Sequence, residues 1–217
     1  EEDLNLLGIK VYQDDSLYCF TSDAILLSRF TLVKKGDVVA DFCSGSGIIG
    51  FNLYGLNPII KSVTFFEMQK PLFDLSVMSI KANALDSVFS AVNTRVQDIG
   101  KDYNEKFSLI VCNPPYCASG TGEVNKDNEK AKCRSDGELP LSDLIFAVSK
   151  ALKFGGRFCI VQRSDRLAEI IFELKKKGLE PKRMQFVSGG NKAPYLFMLE
   201  AVKGGKSGIK VLDTIRN

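Results

Sequence analysis

Apolar positions along this chain fall into two rhythms. Short runs rich in β-branched and aromatic residues recur at 37–42 (DVVADF), 62–66 (SVTFF), 88–96, 107–112 (FSLIVC) and 157–162, the pattern of buried strands. Between them apolar residues return at helical intervals. Residues 71–85 carry Leu72, Leu75, Val77, Met78, Ala82 and Leu85 in this way, with Pro71 in the first turn, where its missing N–H is no loss. Residues 47–54, 141–152 and 166–177 read as further helices. In the second of these Leu144, Ile145, Val148 and Leu152 share a face, and Phe154-Gly155-Gly156 ends it. Gly178 stops the third. Residues 182–187 and 195–202 are two closing strands joined without a helix.

Strands alternating with helices predict an α/β fold, a mostly parallel sheet covered on both faces. The closing pair predicts an antiparallel C-terminal hairpin at the sheet edge, for seven strands in all. The length, 217 residues, suits one domain, 1–217, whose core starts at residue 37 behind an extension, 1–36. There is no internal repeat. Residues 118–140 form the longest aperiodic stretch, polar and glycine-bearing, and read as a mobile loop beside the site.

Composition narrows the chemistry. With no histidine, Ser-His-Asp and Cys-His catalysis are excluded, as is any His-based metal site. The six cysteines, Cys19, Cys43, Cys112, Cys117, Cys133 and Cys159, include no pair two residues apart. No metal is expected, and the half of these cysteines that sit inside apolar stretches read as small buried hydrophobes. The N-terminal residues are acidic where a secretory signal would be basic, and no apolar run approaches the roughly 20 residues of a membrane span. A cytoplasmic protein with no membrane association and no obligate protein partner is expected. Charge is uneven: residues 1–140 hold 14 Lys and Arg against 19 Asp and Glu, residues 141–217 hold 15 against 7. A basic C-terminal third suits a polyanionic partner, or is simply a solvated lysine-rich face.

Four constellations carry chemistry. Asp41-Phe42-Cys43-Ser44-Gly45-Ser46-Gly47 ends a hydrophobic strand in an acid and a glycine turn ahead of a helix. Such a turn lets backbone approach a ligand, and the C-terminal end of a first strand is where doubly wound sheets bind ligands. Ile48-Ile49 in place of Lys-Ser/Thr excludes a P-loop. Gly45, Gly47 and Gly50 satisfy a dinucleotide spacing, but Asp41 would repel a pyrophosphate and attract an ammonium group. Glu67, ending the second strand, can accept two ribose hydroxyls, or be an exposed strand-end charge. Asp98, in Gln97-Asp98-Ile99, can accept an adenine amino group, or cap a helix. The sharpest signal is Asn113-Pro114-Pro115-Tyr116 straight after FSLIVC. Two prolines remove two donors and fix φ, leaving the Asn113 carbonyl and the Pro114 carbonyl as rigid acceptors for the two hydrogens of an NH₂ group. Tyr116 can stack on the planar group bearing that amine.

This order of motifs resembles the class I Rossmann-like amino-methyltransferases. The segment Phe20-Thr21-Ser22-Asp23-Ala24-Ile25-Leu26-Leu27, Gly120 after N-P-P-Y, Gly155-Gly156-Arg157, residues 163–167 and the tail 201–208 (AVKGGKSG) are similar to the bacterial tRNA1(Val) adenine-37 N6-methyltransferase family. The resemblance covers essentially the whole chain. It implies S-adenosylmethionine as cofactor, S-adenosylhomocysteine as product, and a tRNA adenine N6 as target. Asp41, Gly45 and Gly47 would hold the methionine part, Glu67 the ribose and Asp98 the adenine. Cys43, Met68, Ile99 and Asn113 would add cofactor contacts. Phe20, Ser22 and Asp23 would close over the cofactor, although Ser22-Asp23 reads equally as a helix N-cap pair. Arg134 and a Lys192, Lys203, Lys206 cluster would contact RNA phosphates. In one departure, Arg134-Ser135-Asp136 stands where the family carries Arg-His-Glu. Release-factor glutamine N5-methyltransferases share N-P-P-Y but carry a helical domain before the core, for which 36 residues are too few. DNA adenine methylation, and a non-catalytic cofactor- or RNA-binding role on the same fold, complete the alternatives.

Overall fold

In the computed structural model, residues 2–3, 8–14, 17, 22–115 and 139–216 are described. The chain runs β1 (Glu2–Asp3), β2 (Lys10–Val11), α1 (Ser22–Phe30), β3 (Val38–Phe42), α2 (Ile48–Leu56), β4 (Ser62–Glu67), α3 (Lys70–Ala82), β5 (Phe89–Asn93), β6 (Phe107–Cys112), α4 (Leu141–Ala151), β7 (Leu152–Arg163), α5 (Leu167–Lys176), β8 (Leu179–Ser188), β9 (Pro194–Lys203), β10 (Lys210–Val211) and β11 (Ile215–Arg216). Strands lie in the order β10-β8-β9-β7-β6-β3-β4-β5, with β11 also on β8. Pairs β5-β4, β4-β3, β3-β6 and β6-β7 are parallel. Among the described strands of this sheet only β9 is reversed, slotted antiparallel between β7 and β8, while β1 and β2 form a separate antiparallel pair. The α/β class and the antiparallel closing hairpin are thus as expected. To the seven strands are added two of two residues each, β10 and β11, which cover the outer edge of β8 and shield its free N–H and C=O groups.

The two-residue period of the strands sorts their side chains between two cores. Ala40, Phe42, Ile110, Cys112, Phe158 and Ile160 pack with Leu144, Ile145 and Val148 of α4 and Ile170 and Leu174 of α5. Val39, Leu109, Val111, Cys159 and Val161 pack with Leu27 and Phe30 of α1, Ile48, Phe51 and Leu53 of α2, and Ile80 of α3. Helix α1 is therefore part of one core face.

Three boundaries differ from the sequence pattern. β7 begins at Leu152, not Arg157, because Phe154–Gly156 loops out of a continuing strand: Leu152 pairs with Phe107 and Arg157 with Leu109. Gly155 takes a left-handed φ of 74° there. β8 begins at Leu179 and tolerates Pro181 because its register shifts between Pro181 and Arg183. β5 stops at Asn93, where Thr94 turns to donate its N–H to the Glu67 carbonyl at 3.1 Å. Below the sheet, Arg157 and Asp37 form a buried ion pair at 2.5 Å, and Ser108 Oγ donates to the other Asp37 oxygen at 2.8 Å. Of the expected loop at 118–140, only Leu139 and Pro140 are among the described residues.

Candidate active site

Four adjacent parallel strands, β5-β4-β3-β6, end on the same side of the sheet, and each delivers one of the sequence motifs there. From β3 comes the turn 43–47. Its backbone bends through left-handed conformations at Cys43 (φ 56°), Gly45 (φ 56°) and Gly47 (φ 90°). Cysteine resists that region, so the strain at Cys43 has to be held by its surroundings. At Gly47 any side chain would strike Phe65, whose ring lies 2.8 Å from the position of a Cβ. Helix α2 starts directly after, with Gly47 as its N-cap.

Asp41, the second-to-last residue of β3, is fully buried. Its Oδ2 accepts the N–H of Gly50 at 3.0 Å, in the first turn of α2, so the carboxylate ties strand to helix end. Among the described residues its buried Oδ1 has no partner, and neither has the Ser44 hydroxyl. Burial pushes the Asp41 carboxyl up to about 8, the Gly50 amide opposes this, and the charge of Glu67 adds to it. A buried acceptor without a donor is costly, and a cationic donor would remedy both the orphan oxygen and the raised proton affinity. An ammonium group fits that description.

Glu67 ends β4, is buried, and binds the turn itself: one carboxylate oxygen accepts the Gly45 N–H and the other the Gln69 N–H, both at 2.8 Å. Its pKa is raised by burial, and the amides of Gln69, Gly45 and Met68 oppose the shift. It is therefore no exposed strand-end charge. A carboxylate has about four acceptor positions, so it can still take a hydroxyl donor. Asn93, at the end of β5, donates to the carbonyls of Glu67 and Met68 at 2.8 and 3.1 Å. Met68 is exposed. Asp98 closes a single 3₁₀ turn, Val96–Asp98, rather than capping a helix. Its side chain is largely exposed and sits 3.9 Å from Arg95. Ile99 packs on the core beneath it.

From β6 comes Asn113, half-buried, then Pro114, buried, and Pro115. Because β3 and β6 are paired with Phe42 opposite Cys112, Asn113 emerges beside the turn at Cys43. Ser22 and Asp23 form the first turn of α1, Ser22 exposed and Asp23 buried, instead of capping it. Phe20, Tyr116 and Arg134 lie outside the described residues. The three lysines do not form one cluster. Lys192 sits in the turn between β8 and β9, on the side of Asn113. Lys203 ends β9 at the other side, roughly 30 Å away for a ten-residue strand, and Lys206 follows it. There Lys203 is held by Glu105 at 3.3 Å and the Leu152 carbonyl at 2.8 Å. Two residues escaped the motif reading. Ser44 stands between Cys43 and Gly45 with no role assigned from the sequence, and Gln162 closes the strand 157–162 as a polar residue after four apolar ones, which is the one signal it gives.

The methyltransferase small domain profile matches residues 21–177. The chain belongs to that family. The match spans the turn at Asp41, the acid at Glu67 and the Asn113-Pro114-Pro115 segment. Among curated proteins it is similar to the tRNA1(Val) (adenine(37)-N6)-methyltransferase of Shewanella woodyi, 25% identical over 187 residues, which cover 83% of this chain and 75% of that protein. Among solved structures it is similar to a predicted O-methyltransferase from Agrobacterium tumefaciens, with TM-score 0.71 and 17% identity, covering 89% of this chain and 86% of that one. It is also similar to P. horikoshii TYW2 in complex with MeSAdo, with TM-score 0.63 and 15% identity, covering 91% and 69%. At these identities the solved structures attest the fold. Among the described residues of this methyltransferase small domain, no helix is long and apolar enough to cross a membrane, and no group of His, Cys, Asp or Glu could hold a metal ion.

Proposed function

We propose that this chain transfers a methyl group from S-adenosylmethionine to an exocyclic amino nitrogen, and that the substrate is adenine N6 in a tRNA, met in the cytoplasm. The observation that carries the reading is the meeting of Asn113-Pro114 with the orphan Asp41 oxygen at neighbouring strand ends. Asp41 Oδ1 would take the cofactor's ammonium group, Ser44 and the turn 43–47 its amino-acid end, and Glu67 its ribose hydroxyls. Asp98 and Ile99 would flank the adenine, and Phe20, Ser22 and Asp23 would close over it. When bound, the cofactor supplies an activated methyl group on sulfur. Asn113 Oδ1 and the Pro114 carbonyl accept the two N–H bonds of the target amine, which turns its lone pair toward that methyl. The cofactor's sulfur would leave with the C–S bonding pair, and the extra proton of the methylated amine would pass to water. No protein base is required before attack, so catalysis is positioning and electrostatic orientation, as suits a chain without histidine.

The tRNA substrate is supported by the name of the Shewanella relative and by the basic C-terminal third. Phosphate contacts would divide between Lys192, on the side of Asn113, and Lys203 and Lys206 on the far side, and Arg134 would add one more. A base in a loop is cheaper to unstack than a paired one. The test is methyl transfer from labelled cofactor to unmodified bulk tRNA, followed by nucleoside analysis. Label is expected in N6-methyladenosine, and Asn113→Ala should keep cofactor affinity while losing transfer by at least about 100-fold. Equal turnover in that variant would overturn the assignment of Asn113. Label in protein and none in RNA would replace the substrate with a glutamine side chain.

A further inference from the structure

We infer that Gln162 is a positioning residue for the transfer, holding the diproline segment in place through the Pro115 carbonyl. This rests on the proposed role of Asn113 and Pro114. Gln162 is fully buried near the end of β7, two residues beyond Ile160 on the strand face that packs Phe158 and Ile160 into the core. A carboxamide on such a face is unfavourable unless both ends are bonded. Its Oε1 accepts the N–H of Arg163 at 2.9 Å, which orients the amide, and its Nε2 donates to the Pro115 carbonyl at 3.4 Å. The β6-β7 ladder ends at Cys112 opposite Ile160. Beyond it Pro114 and Pro115 have no N–H to continue the ladder, so the segment can be fastened to β7 only through its carbonyls. With the Pro114 carbonyl reserved for the amine, the Pro115 carbonyl is the one left for anchoring, and Gln162 supplies the donor.

The test replaces the amide with a thioether of similar volume, Gln162→Met, and with an acid, Gln162→Glu. In Gln162→Met, single-turnover transfer at saturating cofactor should fall more than about tenfold, since small misplacement of reacting groups is expensive. S-adenosylhomocysteine affinity and melting temperature should stay close to wild type. In Gln162→Glu, transfer relative to wild type at the same pH should recover as pH falls, because only the protonated carboxyl can donate to Pro115. Transfer by Gln162→Met within twofold of wild type, or a loss matched by equally weakened cofactor binding, would overturn the inference. Amide exchange in a peptide covering 107–120, measured without RNA, should be faster in Gln162→Met, and unchanged exchange also counts against the anchor. Should wild type methylate no RNA, the substrate reading fails and the exchange comparison still decides the role of Gln162.

Discussion

Lowering the pH should loosen the hold of this chain on S-adenosylhomocysteine, because the carboxyl proposed to meet the ligand's ammonium group keeps its proton unusually long. Asp41 is pushed up to about 8 in the free protein. The ammonium prefers the carboxylate, so below that pH binding must first expel a proton, at about 1.4 kcal/mol per pH unit. The dissociation constant should therefore rise about tenfold between pH 7 and pH 6 and flatten above about pH 8, with about one proton released per ligand bound at pH 6–7. Glu67, also raised, would steepen the lower end. Calorimetric titration in buffers of different ionisation enthalpy measures both the affinity and the proton. In Asp41→Asn, which can still accept the Gly50 N–H, affinity should be weaker and the slope shallower. A pH-independent affinity in wild type from pH 6 to 8, or the same slope in Asp41→Asn, would refute the reasoning. Without ligand the sign is opposite. Folding raises the Asp41 pKa from 3.8, so its contribution to stability is complete below about pH 4 and is lost as pH rises toward 8. The melting temperature of the free protein should fall by roughly 2–4 °C per unit between pH 6 and 8, and less in Asp41→Asn.

Two further predictions concern the frame of the site. In Gly50→Ala and Gly47→Ala the new methyl would lie 2.4 and 2.8 Å from the Phe65 ring. Gly50→Ala should lose about 1–3 kcal/mol in urea unfolding, Gly45→Ala, with nothing within 4 Å, only the left-handed penalty of roughly 1–2 kcal/mol, and Gly47→Ala, left-handed as well as crowded, the most of the three. Equal losses at all three would contradict the packing argument. Arg157→Met strands a buried Asp37 and should cost about 3–5 kcal/mol. The double variant with Asp37→Leu should recover most of it, and ligand affinity should not change, since the pair lies at the opposite ends of the strands.

Much of this protein was legible along the chain because the governing interactions are local or periodic. The two-residue alternation in DVVADF and FSLIVC assigns side chains to two faces wherever the strand lies, and a glycine turn between a strand and a helix needs no distant partner. Hence the α/β class is readable from the chain, as are the strand ends at Asp41, Glu67 and Asn113 that the sheet brings to one side. Gly178, with φ 72°, does end α5. Where the reading failed, the deciding contact lay far off in sequence. Whether Glu67 is solvated or buried depends on the Gly45 amide, 22 residues away. The lysines share a charge and a stretch of chain, but a reversed β9 carries Lys203 to the side away from Lys192.

The sequence by itself determined which residues could do the chemistry, because hydrogen-bonding capacity, charge and the missing proline N–H belong to the residue. Only the tertiary structure decided which of those capacities were already used. Gly50 and Gln69 take up one acceptor each on Asp41 and Glu67, Oδ1 of Asp41 is left over among the described residues, and Gln162 reaches 47 residues back to Pro115. The physical reason is that a buried polar atom must find its partner within about 3 Å, and which atoms come that close is set by the stacking of strands in space, not by their order along the chain.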